Sequence, residues 1–219
     1  MGADDRIERA GALYERAVFG GDADAVTAAD RELDAVEADL ALARGRVAHA
    51  RFLDDGHESP HELGLFERAA ELYRGLGDVR GEAEALFWIG CFHQVVRHDD
   101  AAAVPVLEQS RGKAVHAGDT LTASYALRHL GIADHRAGRP GSAREHLEES
   151  TRLRREVGFL PGVAANLVGL AYVTAEEGHR DEALKLLDEA GSIAEASRAD
   201  GVLRQVQEAR ANLGPRKVR

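Results

Sequence analysis

The feature that most constrains this chain is an internal repeat with a spacing of 40 residues. In three successive copies an alanine is followed four positions later by a leucine: Ala103 and Leu107, Ala143 and Leu147, Ala183 and Leu187. An acidic residue follows each leucine directly. A short repeating unit cannot bury its apolar face alone, so the copies must stack side by side to form a shared core.

The copy at residues 124–158 shows what each unit contains. Its apolar side chains recur every three or four positions up to the turn at Gly138–Gly141, and a second periodic stretch follows. This pattern predicts a helix, a turn and a second helix. Pro140 can begin the second helix, and Ser142 with Glu145 three residues later matches a capping box.

The first helices of three copies share a six-residue motif that ends in a small residue. The motifs are ALFWIG (Ala85 to Gly90), ALRHLG (Ala126 to Gly131) and NLVGLA (Asn166 to Ala171). A small residue lets a partner helix approach closely. We therefore expect these positions to face the alanines of the second helices. No alternating Val or Ile run of strand length occurs, so we predict no strand.

These residues resemble the tetratricopeptide repeat family. Leu130 and Gly131, then Ala143, then Leu147 stand where that family has its Leu-Gly pair, a small residue and a large apolar residue. The resemblance implies an all-α fold, a right-handed α-solenoid of antiparallel helix pairs. The period near 40, against about 34 in the family, is similar to that of longer-helix variants in bacterial regulatory proteins. The chain also lacks the family's usual proline at each repeat end.

The resemblance suggests three parts of the chain. We expect residues 1–37 to form a degenerate N-terminal repeat or cap, residues 38–200 to form four helical hairpins, and residues 201–219 to form a capping helix and a basic tail. Asp34–Asp54 contains only one glycine and could continue the preceding helix. We expect a break or kink near residues 37–40 to separate the cap from the first hairpin.

Composition narrows the range of partners. The chain carries 28 basic and 38 acidic side chains, for a formal charge of −10, which argues against nucleic acid or an anionic membrane surface. Cys91 is the single cysteine, which excludes an internal disulfide. No stretch resembles a signal peptide or reaches the roughly 20 apolar residues that cross a bilayer. We expect a cytoplasmic protein.

Motifs of common enzyme and cofactor classes are missing. The sequence has no HExxH, CxxC, GxxxxGK or GxSxG. Its ten histidines form no pair four residues apart on a clear helix, which argues against a metal site. A site assembled across repeats from His49, His93 and His129 remains open. We predict no metal and no cofactor.

The resemblance further implies that the first helices line a concave groove. Counting from the Leu-Gly pair, the groove-facing residues include Glu84, Phe87, Cys91, Gln94, Tyr125, Arg128, His135, Tyr172 and, in the earliest repeat, His49. Residues beside these rows are Trp88, His93, His129 and Asn166. This mixed surface suits a peptide or a medium-sized organic ligand. An acidic group on the ligand would pair best with Arg128, because a guanidinium binds a carboxylate through two hydrogen bonds.

Three functions remain open. The first, which the resemblance implies, is a binding or scaffold protein that holds a peptide or protein partner in the groove. The second is a small-molecule binder or enzyme in which a groove histidine is a general base and Arg128 holds an anion. The third is an assembly module that forms a homodimer through a terminal helix.

A structural interpretation competes with the groove assignment. In it, Phe87, Trp88 and Tyr172 pack between repeats, and Arg128 is a surface charge paired with Glu84 or Glu148. Cys91 is then a small buried thiol, because residues two apart on a helix, such as Cys91 and His93, point in divergent directions. The run Arg152–Arg155 is expected to lie on the solvated side of a second helix.

Overall fold

The structure is a computed structural model that describes residues 2–213. Over this range it contains ten α-helices and no strand: α1 Ala3–Gly20, α2 Asp24–Asp55, α3 Glu62–Leu76, α4 Val79–Cys91, α5 Asp100–His116, α6 Thr120–Arg136, α7 Pro140–Glu156, α8 Leu160–Glu176, α9 Arg180–Ala196 and α10 Asp200–Leu213. A π-helical segment, Phe92–Val96, follows α4. The chain divides into two compact units, Met1–Ala117 and Gly118–Arg219.

Left-handed residues recur every 20 positions and set the helix length. Positive φ angles occur at His98, Gly118, Gly138, Gly158, Gly178 and Arg198. Each marks a short turn, and the helices between them, α5 to α9, all contain 17 residues. Glycine adopts this conformation without a steric cost, which explains why it fills four of the six turns. One repeat is therefore two equal helices and two equal turns.

The helices pack as neighbouring antiparallel pairs within each unit. In the first unit α2 pairs with α3 and α4 with α5; in the second α6 pairs with α7 and α8 with α9, and α10 packs against α8 and α9. This confirms the predicted all-α fold of helix pairs. No helix among residues 2–213 is both long and apolar enough to cross a membrane.

The predicted close approach within the pairs is confirmed. The three repeating alanines are fully buried, and the leucines that follow them are at most 2% exposed. A Cβ atom added at Gly90 would lie 2.6 Å from Cγ of Leu107, and one added at Gly131 would lie 3.0 Å from Cγ of Leu147. The glycines thus leave room for the leucine of the paired helix.

The expected break near residues 37–40 is wrong. Helix α2 is continuous over 32 residues. Ala38 and Ala41 are buried in its middle, and alanine favours the helix. Gly45 lies within this helix and does not interrupt it. A Cβ atom at this position would lie 2.4 Å from Cε1 of Phe66, so glycine is needed here for packing. The boundary proposed after residue 37 therefore falls inside a helix, and the three-part division stays a prediction. The basic tail lies outside the described residues.

The predicted N-cap at Ser142 is also wrong. Helix α7 begins at Pro140, and its N-cap is Arg139, which makes no capping side-chain hydrogen bond. Proline fits the first helical position because that position needs no N–H donor. Capping aspartates occur at earlier turns, where Asp78, Asp99 and Asp119 each accept a hydrogen bond from the amide three residues later.

We expect Gly90→Ala to lower the free energy of unfolding by about 1 to 3 kcal/mol, because the new methyl group overlaps the Leu107 side chain. Gly131→Ala should cost less, because its methyl group would lie farther from Leu147. Gly112→Ala in α5 is the control: nothing lies within 4 Å of its added Cβ, so helix propensity should raise stability by up to about 1 kcal/mol. Urea unfolding followed by circular dichroism checks the order; equal effects of all three would contradict the packing.

Candidate functional site

The predicted site residues fall into two groups, one in each unit. The first unit holds His49, Glu84, Phe87, Trp88, Cys91, His93 and Gln94; the second holds Tyr125, Arg128, His129, His135, Asn166 and Tyr172.

In the first unit His49 links two side chains from different helices. Its Nδ1 lies 2.8 Å from Oε1 of Glu62 on α3, and its Nε2 lies 3.7 Å from Sγ of Cys91 on α4. A thiol, an imidazole and a carboxylate in this order resemble a nucleophile, its base and an orienting acid. All three side chains are buried, however, and Oε2 of Glu62 has no hydrogen-bond partner among the described residues.

The Cys91 thiol is held in its protonated form. Burial, and then the nearby Glu62 carboxyl, raise the pKa of Cys91 to about 12. A reactive cysteine needs a lowered pKa and access to solvent. The interpretation of Cys91 as a buried thiol is therefore confirmed in its surroundings, although its neighbour is His49 and not His93.

Aromatic side chains surround this group and pack it in place. The Trp88 ring stacks on the Phe66 ring with centroids 5.6 Å apart, and meets the Phe87 ring edge-on at 5.1 Å. The guanidinium of Arg46 lies 5.7 Å from the Trp88 ring and also pairs with Glu84 at 3.2 Å. In the first unit the predicted rings thus serve mainly to hold α2, α3 and α4 together.

The other imidazoles and their neighbours have separate partners. His93 and Gln94 lie in the π-helical segment. The His93 ring contacts the Phe92 ring edge-on, and Gln94 donates a hydrogen bond to Asp100. In the second unit Nε2 of His135 lies 2.9 Å from Glu176, Tyr172 accepts a hydrogen bond from Asn212, and His129 is partly buried. The described residues contain no group of three or more His, Cys, Asp or Glu side chains that could hold a metal ion.

The second unit brings together what we call the arginine cluster: Arg128 on α6, Arg154 on α7 and Asn166 on α8, with the rings of Tyr125 and Phe159. Both guanidinium groups donate a hydrogen bond to Oδ1 of Asn166, each at 3.0 Å. Arg128 also donates to the carbonyl of Ala165, and Arg154 to that of Gly162, each at 2.8 Å. Nδ2 of Asn166 donates to Ser150. Three helices are therefore joined through one buried amide.

The two arginine residues differ in their exposure. Arg154 is only 2% exposed and lies over the rings of Tyr125 and Phe159, with centroids at 5.1 and 5.7 Å. Arg128 is partly exposed as a residue and donates to the same amide from α6, but burial of its guanidinium also lowers its pKa.

No carboxylate neutralises this cluster. Neither Arg128 nor Arg154 forms an ion pair in the part of the chain that the structure describes; Glu84 pairs with Arg46, and Glu148 with Arg144. Burial lowers the pKa of Arg128 to about 10. Burial, and then the charge of Arg128, lower the pKa of Arg154 to about 9. Both groups remain charged at neutral pH, so the cluster favours an anion.

Sequence reasoning placed Arg128 and Asn166 near one another but missed Arg154. The expectation that residues 152–155 are all solvated is wrong at this position. The signal was present in the repeat: 40 residues before and after Arg154 stand Ala114 and Ala194, both fully buried. A polar residue that replaces a core alanine in one copy alone marks that copy as different. Glu62, the first residue of α3, was also missed.

Comparison with known proteins agrees with this geometry. Residues 119–196, which include α6 to α9 and the whole arginine cluster, match the model of the tetratricopeptide repeat family. This segment consists of tetratricopeptide repeats. The tetratricopeptide Leu-Gly pair and small residue identified in the sequence lie within the match. A search of curated proteins found no match.

Solved structures extend the likeness beyond the matched segment. The crystal structure of nearly identical TPR-like repeats from a candidate kinesin light chain of Podosopora anserina aligns with a TM-score of 0.56 at 16% identity. The alignment covers 81% of this chain and 98% of that chain. At this identity the likeness shows the fold alone, which is that of TPR-like repeats.

Asn166→Ala should lower the free energy of unfolding by about 2 to 4 kcal/mol, because the guanidinium groups of Arg128 and Arg154 lose their shared buried acceptor. Asn212→Ala is the matched control, since Asn212 is exposed and bonds only to Tyr172, and it should change stability by less than about 0.5 kcal/mol. Chemical unfolding of both variants provides the measurement. Equal losses would show that the amide does not hold the three helices.

Cys91 should react slowly with a disulfide reagent in the folded protein. At pH 8 a thiol of pKa about 12 has about 1000-fold less thiolate than an unfolded cysteine near 9, so unfolding in urea should accelerate labelling by that order. Val115→Cys provides an exposed thiol in the same unit, because Val115 is 67% exposed. Labelling of Cys91 as fast as that thiol would show that the His49 group is open to solvent.

Proposed function

We propose that this protein binds a peptide or protein partner through the first helices of its repeats, and that an acidic group of the partner contacts Arg128. The observation that carries the proposal is the arginine cluster, whose two charged guanidinium groups form no ion pair within residues 2–213. Tetratricopeptide repeats generally bind protein partners, and the cluster lies wholly within the matched segment.

The free edge of Arg128 suits a carboxylate. Its hydrogen bonds to Ala165 and Asn166 both leave from Nη1. The edge formed by Nε and Nη2 therefore remains for a ligand, and a guanidinium edge binds a carboxylate through two parallel hydrogen bonds. Because Arg128 is fixed by two other acceptors, little side-chain entropy would be lost when the partner binds.

The charge behind Arg128 strengthens such a contact. Arg154 is buried and shares Oδ1 of Asn166 with Arg128, so its charge is poorly screened by water. An arriving anion would be attracted by both groups while touching only one. The rings of Tyr125 and Phe159 flank Arg154 and offer an apolar surface beside the charge.

Arg128→Gln tests the proposal. The amide keeps a hydrogen-bond donor but removes the charge, so we expect partner capture from lysate, or affinity for acidic peptides on an array, to fall at least about tenfold. Asn166→Asp is a second test, because it introduces a carboxylate between the two guanidinium groups and should weaken capture without shortening any side chain. Binding is measured by titration of the captured partner.

Arg204→Ala is the matched control. Arg204 is exposed on α10, and its removal changes the net charge by the same amount. It should leave binding unchanged. Circular dichroism and thermal unfolding of each variant separate a binding defect from a folding defect. Wild-type binding by folded Arg128→Gln and Asn166→Asp would contradict the assignment of this site.

A further inference from the structure

Helix α2 carries a half-exposed apolar stripe beside the face that packs on α3 and α4. Two rows of apolar residues, each with a seven-residue spacing, form the stripe: Val26, Leu33, Leu40 and Val47, and, three positions after each, Ala29, Val36, Ala43 and Ala50. The four larger residues of the first row are between 46% and 54% exposed. Each row thus keeps the seven-residue spacing through four successive apolar residues. Such a pattern is typical of helices that pair lengthwise with another helix.

The stripe is not needed for the core of the first unit. The buried residues of α2 are on another face and include Ala38, Leu42, Gly45 and His49, which pack towards α3 and α4. A helix with two apolar faces has two packing surfaces. The first is occupied within the unit, and the second is only partly covered.

Helix α1 accompanies only the first half of the stripe. Arg6 pairs with Glu32 at 3.0 Å, which fixes α1 beside the first half of α2. An apolar groove of about 360 Å³ runs between these helices, lined by Ile7, Tyr14, Val26 and Leu33. The second half of α2 borders a separate groove of about 570 Å³, lined among others by Ala43, Val47 and Leu65.

The charges beside the stripe change sign halfway along the helix. Asp30 and Glu37 flank the first half, and Arg44 and Arg51 flank the second, again at seven-residue spacing. Asp30 lines the first groove, and both arginines line the second. Within residues 2–213, Asp30, Arg44 and Arg51 form no ion pair. Each half therefore carries charge that its own surroundings do not neutralise.

We propose that a second copy of this chain covers the stripe, with its α2 antiparallel to the first. In this orientation the basic half of one α2 lies along the acidic half of the other, so Arg44 and Arg51 face Asp30 across the interface. The two rows also interdigitate, because Leu33 lies opposite Ala43 and Val36 opposite Leu40, which pairs large residues with small ones. The assembly is a homodimer whose two-fold axis passes midway between Val36 and Leu40.

The self-complementary pattern identifies the partner as a second copy. A two-fold interface uses the same surface on both chains, so that surface must contain both members of each contact. The stripe meets this condition because it is acidic at one end and basic at the other. A parallel copy would place like charges opposite each other, which is unfavourable. The interface lies in the first unit, apart from the arginine cluster in the second.

Sedimentation equilibrium of the full chain tests the dimer. The wild type should be dimeric in the micromolar range, and Leu40→Glu and Val47→Glu should each raise the dissociation constant at least about 100-fold, because each change acts twice in a symmetric dimer. Val115→Glu, at an exposed valine of α5, should leave the dimer unchanged. Circular dichroism confirms that each variant folds. A wild type that is monomeric at all concentrations would overturn the proposal, as would Leu40→Glu remaining dimeric.

Cysteine cross-linking and charge exchange test the orientation. Oxidation of mixed Val26→Cys and Ala50→Cys chains should give a disulfide between the two variants, and neither variant should cross-link to itself. Self-linking of Val26→Cys would show a parallel pair. Arg44→Glu should weaken the dimer, and adding Asp30→Arg to the same chain should restore it, since the charges are then exchanged. Failure of the double variant to recover, with both proteins folded, would overturn the antiparallel register.

Discussion

The contact on which the structure depends is the close approach of two paired helices at a small residue. Where Gly90 meets Leu107 or Gly131 meets Leu147, the backbone of the first helix lies against the leucine of the second. This contact needs the same register in every copy, and equal helices joined by equal turns provide it. The left-handed residue at every twentieth position keeps each turn the same length. A longer or shorter turn would move the leucine away from its glycine.

Much of this fold could be predicted from the sequence, because the residues that form the main packing contact recur in three copies. The existence, pairing and approximate bounds of the later helices follow from periodicity and glycine turns. The continuity of α2 could not be predicted in the same way. Gly45 looks like an interruption in the sequence, and only the position of the Phe66 ring shows that it permits packing. At the start of α7 a local preference decides between two sequence signals, because Pro140 fits the first helical position and Ser142 already lies inside the helix.

The candidate site was partly predictable for a related reason. Arg128 and Asn166 lie on first helices, which the family resemblance implies line the groove. Arg154 lies on a second helix among other charged residues. Comparison between copies separates it from those charges, because its counterparts, Ala114 and Ala194, are core alanines. The approach of His49, Glu62 and Cys91 involves three helices, and no spacing in one helix could have indicated it.

Removing the Arg154 guanidinium from water costs free energy. The other copies show that a charge at this position is not required for the fold, because their equivalent residues, Ala114 and Ala194, are buried alanines. A cluster kept only for stability would be expected to contain a carboxylate, as the Arg74 and Lys113 contacts with Glu82 do elsewhere in the chain. The missing counter-charge is therefore the part of the structure that packing leaves unexplained and that binding of an acidic partner at Arg128 would account for.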